Sequence, residues 1–163
     1  MSIWDFNRQL TQRLLAWAVS SITTGAALQL RSDARQRGIG LQFAGWGIVN
    51  LLIALFGKYG TQRRARQPQA NTAQTLHKES RNLRRLLWIN TGLDVLYVLG
   101  GLLLARRKGH DNPHWRGQGQ GIIVQGGFLF FFDLLHALLV PKAEAPRSNF
   151  LESDAETTST TRP

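Results

Sequence analysis

The sequence predicts an all-α fold, a four-helix transmembrane bundle, and three observations carry that reading. First, four long windows are almost free of charge. Residues 14–30 and 38–57 hold no charged side chain, 86–105 holds only Asp94, and 117–140 holds only Asp133, with His136 nearby. A membrane-spanning helix needs about 20 mostly apolar residues, within a range of about 17–25, and all four windows fit. Second, the basic residues all lie outside these windows. Third, the windows lack a polar face. A soluble four-helix bundle shows charged outer faces at helical period, whereas Leu51, Leu52, Ile53, Leu55 and Phe56 leave no side for water. The mean hydropathy of −0.18 reflects charged connectors and a polar tail.

The first window follows Arg8 and Arg13. Those residues also suit the n-region of a signal peptide, but Trp17, Ser20, Ser21, Thr23 and Thr24 and the lack of a clear cleavage site favour a retained span. A short connector, 31–37, leads to the second span. A long connector, 58–85, leads to the third. Within it, Leu76, Leu83, Leu86 and Leu87 form a broad apolar face, so the third helix is expected to start early as an amphipathic lead-in along the membrane surface. Residues 106–116 join the last two spans. The tail, 141–163, is rich in Ser, Thr, Pro and acids and too poor in apolar residues to order itself.

A formal net charge of +10 points to nucleic acid or an anionic membrane. Basic residues that flank spans assign it to the lipid surface and not to nucleic acid. With both termini on one side, that side carries 13 Lys and Arg and the other 7, which places both termini in the cytoplasm by the positive-inside rule. Arg63, Arg64 and Arg66 form a small polybasic run. It is either an anionic-lipid contact or a plain topology signal. A faint repeat sets "QFAGWGIVNLLIAL" against "QGGFLFFFDLLHAL", pairing Gln42 with Gln125 and Asn50 with Asp133. It suggests two tandem two-helix units of the same orientation.

The polar residues gather at one depth. Counted from the cytoplasmic span ends, Asn50, Asn90, Asp94, Asp133, His136, Ser20 and Ser21 all fall roughly 6–12 Å into the span at 1.5 Å per residue. Asn90 and Asp94 are i,i+4 and share a side of the third helix; Asp133 and His136 are i,i+3 and share a side of the fourth. A mid-span carboxylate costs roughly 2.5–3.5 kcal/mol on insertion scales, so it should face the interior and find a partner. Two readings of the layer stay open. It is interhelical glue, or it handles a proton, an ion or a lipid headgroup, with Asp133 and His136 resembling a proton-handling pair because imidazole titrates near neutral pH. The carrier form of the second reading requires a homo-oligomer, since four spans are few.

Other motifs carry less. The absence of cysteine excludes disulfides, Cys-ligated zinc and thiol catalysis. "RGQGQG" (116–121) lacks the strand context and spacing of a phosphate loop and reads as helix packing. His110, Asp111 and His114 are too few and too badly spaced for a metal site, and no cofactor is expected. His77 and Glu79 read as a surface charge pair beside Arg81. Trp4, Trp17, Trp88 and Trp115 lie near span ends, where interfacial aromatics belong.

"GWGIVNLLIALFG", "HKESRNLRRLLWINTGLDVLYVLGG" and "GQGIIVQGGFLFFFDLLHAL" together resemble an uncharacterised family of small bacterial membrane proteins, domain-of-unknown-function family 6992. The matching positions are Gly45, Trp46 and Asn50; Asn90, Gly92, Leu93, Asp94 and Tyr97; and Gln125, Gly126, Phe128, Leu129 and Asp133. The resemblance implies four spans and brings no activity with it.

Overall fold

The computed structural model describes residues 1–142, so nearly all of the expected tail lies outside the described residues. The described chain is all-α, with four helices: α1 (Ile3–Gln29), α2 (Ala34–Ala65), α3 (Ala73–Arg107) and α4 (Pro113–Leu139). Each starts on a residue that satisfies an orphan backbone N–H. Ser2, Asp33 and Thr72 accept from the amides of Asp5, Arg35 and Thr75, and Asn112 accepts from that of His114, with Pro113 at the first turn of α4. At the far end of α4, Arg84 of α3 donates to the Val140 carbonyl at 2.8 Å, placing a cation where the helix dipole is negative.

Three of the helices, α2, α3 and α4, are long and apolar enough to cross a membrane. Their outward faces carry Leu52, Phe56, Leu96, Phe131, Leu135 and Leu138 in the open. Contiguous apolar surface of that kind suits lipid and not water. α1 is not one of the three: Asp5, Arg8 and Arg13 lie in its first half and Ser20, Ser21, Thr23 and Thr24 in its second, so of the four expected spans the first, 14–30, falls short.

The helices run alternately up and down. Late α1 meets early α2 at Gly25 and Gly40, late α3 meets early α4 at Gly101 and Gly119, and early α2 meets early α4 at Gly38 and His114. The packed pairs are α1 with α2, α3 with α4, and α2 with α4; α2 and α3 do not form a packed pair. Glycines set the closest approaches, most of them near the end that carries the two short loops, with Gly47 deeper in the bundle against Ile22 and Ala18 of α1. A Cβ on Gly25 would lie 2.7 Å from the Gly40 carbonyl oxygen, and one on Gly101 would lie 2.8 Å from that of Gly119. Gly117 and Gly121 face α2, at Arg35 and Gln42, while Gly119 between them faces α3. "RGQGQG" thus serves two helix contacts at once. At the opposite end the contacts pass to larger side chains. There Ile3, Phe6 and Leu10 of α1 join Leu87, Phe132, Ala137 and Val140 in the main apolar core.

The long connector is mostly helical. α2 continues to Ala65 and α3 begins at Ala73, so Arg63 and Arg64 sit on the last turn of α2. The third helix starts early, as expected, and its lead-in is the first part of one uninterrupted α3. At 1.5 Å per residue α2 and α3 measure about 48 and 52 Å, well beyond a hydrocarbon core of about 30 Å. Glu79 pairs across this hairpin with Arg64 at 2.9 Å and not with Arg81. The pair is half open to solvent on the arginine side. Replacing it through Glu79→Ala should shift thermal unfolding by no more than about 1 kcal/mol, as measured by heating the purified protein.

Candidate functional site

Because α2 and α3 stand apart, a crevice runs between them, floored by α4 and α1. It holds a cavity of about 400 Å3 whose polar lining is Asn50 of α2, Asn90 and Asp94 of α3, and Asp133 of α4. The sequence had placed these four at one depth, and the structure brings them to one chamber. Leu14 and Leu129 floor it, and Trp46 and Tyr97 close the end nearer the short loops. Those two rings meet edge to face, with centroids 4.6 Å apart and planes at 82°.

The polar groups are deeply placed and incompletely paired. Asp94 is 4% exposed, Asn50 2% and Asp133 7%. Asn90 lies beside the Asp133 carboxylate. Asp94 Oδ2 and Asn50 Nδ2, an acceptor and a donor, have no hydrogen-bond partner among the described residues. Buried polar atoms are nearly always paired, because leaving one unpaired costs on the order of 1–3 kcal/mol. No group of three His, Asp or Glu side chains converges among the described residues. The chamber therefore offers two carboxylates and two amides.

Three expected members of the layer, His136, Ser20 and Ser21, lie elsewhere. His136 is buried but does not line the cavity. Its Nδ1 is 2.6 Å from the Phe132 carbonyl oxygen and its Nε2 is 3.2 Å from Arg13 Nη1. A carbonyl only accepts and a guanidinium only donates, so the proton sits on Nδ1 and Nε2 accepts. Both ring nitrogens are engaged, and the expected Asp133–His136 proton-handling pair is not formed. The physical reason is angular: positions three apart on a helix differ by about 60°. That offset turns Asp133 toward α2 and α3 and His136 toward α1.

The serines of α1 are the second departure. Ser20 is exposed. Ser21, 1% exposed, accepts from Gln125 Nε2 at 3.1 Å. Gln125, also 1% exposed, accepts at Oε1 from Trp17 Nε1 at 3.0 Å. Trp17 is therefore an inward-facing residue, its ring stacked on Phe128 with centroids 3.5 Å apart. The Trp17–Gln125–Ser21 chain was missed because an uncharged amide does not stand out in an apolar span. Its signal was Gln125 lying in an otherwise apolar stretch of its window, with a tryptophan and a serine available on α1.

Of the polybasic run, Arg64 lines a second cavity, of about 610 Å3, between the projecting parts of α2 and α3, together with Lys78 and Asn82. Arg63 and Arg66 are exposed outside it. In the loop before α4, His110 pairs with Asp111 at 2.6 Å, while His114 turns toward the Ala34 carbonyl at 3.3 Å. The two histidines face different partners.

Residues 13–134 match the family described as "Family of unknown function (DUF6992)". The matched stretch takes in every residue that lines the carboxylate cavity. No curated protein and no solved structure matches the chain.

Proposed function

Since the chain belongs to the DUF6992 family, whose function is unknown, its role has to be argued from its own site, and we propose that it is a four-span membrane protein that binds a cation in the α2–α3 cavity. The observation that carries this is the unpartnered Asp94 Oδ2, buried in a chamber it shares with Asp133. A layer that served only to hold helices together would be sealed and fully paired. This one opens onto a crevice and leaves a carboxylate oxygen and an amide donor unused. Two carboxylates in a low-dielectric chamber attract positive charge.

In this reading α1 is the fourth span, and both termini lie in the cytoplasm of a bacterium whose plasma membrane holds the protein. The α1–α2 and α3–α4 pairs are tandem units joined through α2 and α4, with Asn50 and Asp133 in equivalent places at the cavity. Residues 1–140 form the membrane domain, and residues 141–163 are a polar tail. Arg63, Arg64 and Arg66, on or beside the projecting end of α2, meet anionic headgroups. Flux across the bilayer would need a homo-oligomer. The second reading, a structural or partner-assembly role, draws support from a different level of the bundle, where the Gln125 amide is fully bonded.

The test compares Asp94→Asn and Asp133→Asn with wild type in liposomes. Both variants should express and unfold thermally as wild type does, yet lose cation binding. If both are instead lost to misassembly, the carboxylates are structural and the cation site is abandoned.

A further inference from the structure

The remaining walls of the cavity indicate which cation it takes, an inference that rests on the cation-site reading above. Its volume of about 400 Å3 is roughly thirteen times the share of one water in the liquid, about 30 Å3. It falls within the range of small-molecule sites, about 300–1,000 Å3. A hard metal cation such as calcium wants six or more oxygens in a close shell at about 2.3–2.6 Å. Four polar side chains spread over a chamber of this size do not supply one.

The aromatic end suits another kind of charge. Trp46 and Tyr97 line the cavity, and their edge-to-face contact leaves π surface available. The negative face of such rings attracts an organic cation within about 6 Å, and tryptophan does so best. Asp94 Oδ2 supplies an unpaired acceptor for an ammonium N–H. Leu14 and Leu129 give an apolar floor for carbon arms.

The way in is lateral. Val49, Ile53 and Leu93 line the cavity and are 42, 54 and 47% exposed. They form the lips of the crevice on faces too apolar to meet water. A ligand that uses this door partitions into the bilayer first, so it carries apolar arms of its own.

We propose that the α2–α3 crevice admits a lipophilic organic ammonium monocation sideways from the membrane, seating its charge between Asp94, Asp133 and the Trp46–Tyr97 wall. The full chain in nanodiscs of zwitterionic lipid is titrated calorimetrically with hexylammonium, with its neutral counterpart hexanol, and with sodium ion. Hexylammonium should bind saturably and hexanol should not. Affinity should fall roughly tenfold in Trp46→Leu, as loss of a desolvated cation–π contact implies, and binding should vanish in Asp94→Asn. Thermal unfolding is recorded for each variant. Where Trp46→Leu fails to fold, Tyr97→Leu takes its place and should weaken binding in the same direction. Asp94-dependent binding of sodium without hexylammonium overturns the ligand class and leaves the cation site standing. Hexylammonium binding that survives unchanged in Asp94→Asn, or no cation binding at all, overturns both.

Discussion

Gly119→Leu should be among the most damaging single changes in the chain, costing at least about 3 kcal/mol, the upper end of the usual overpacking penalty. A Cβ at Gly119 would lie 2.6 Å from both the Ala105 amide nitrogen and the Gly101 carbonyl oxygen. Favourable contact between carbon atoms begins at about 3.5 Å. The obstructing atoms are backbone, so no rotamer change relieves the clash, and α3 must move away from α4. Gly127→Leu is the control. Nothing lies within 4 Å of a Cβ there, and the change should stay within about 0.5 kcal/mol. Denaturant titration of the reconstituted protein reads both. Equal losses at the two positions would refute the idea that glycine contacts hold the helices at the short-loop end.

Asp94→Leu should act in the opposite direction. Asp94 is deeply buried with one carboxylate oxygen unpartnered. Replacing buried charge by well-accommodated apolar groups is often stabilising by roughly 1–4 kcal/mol. The cavity gives a leucine side chain room. The variant should therefore unfold later than wild type, by about 1–3 kcal/mol, while losing cation binding. Gln125→Leu supplies the contrast. Both ends of the Gln125 amide are bonded, so its loss strands the Trp17 N–H and should cost about 1–3 kcal/mol. If Asp94→Leu is as harmful as Gln125→Leu, the carboxylate is holding helices together and the binding site reading fails.

The contrast between these residues also shows what a sequence reveals. The apolar windows identified all four helices, and in α2, α3 and α4 they are long and apolar enough to cross a membrane, because a long run without charge is written residue by residue. Helix ends were less legible. α2 runs eight residues past Gly57, since its polar last turns carry no periodic apolar code and meet α3 only through side chains such as the Arg64–Glu79 pair. Asn50, Asn90, Asp94 and Asp133 could be gathered because depth follows from residue count alone. His136 could not be assigned, since about 60° of rotation decides which neighbour a side chain meets. Gln125 was visible as a match in the repeat and in the family pattern. Its partners belong to α1, about a hundred positions earlier, and such a pairing exists only once the bundle is assembled.

The glycine contacts also have a mechanical consequence. They join the helices firmly at one end, whereas across the crevice α2 and α3 meet through side chains, Trp46 with Tyr97 and Arg64 with Glu79. Gly47, the innermost of these contacts on α2, is then its fulcrum. Asn50 lies about 5 Å along the helix from it and Arg64 about 26 Å, at 1.5 Å per residue. A tilt that shifts Asn50 by 1 Å swings Arg64 by about 5 Å. The projecting hairpin is in this sense the long arm of a lever whose short arm is the wall of the binding chamber.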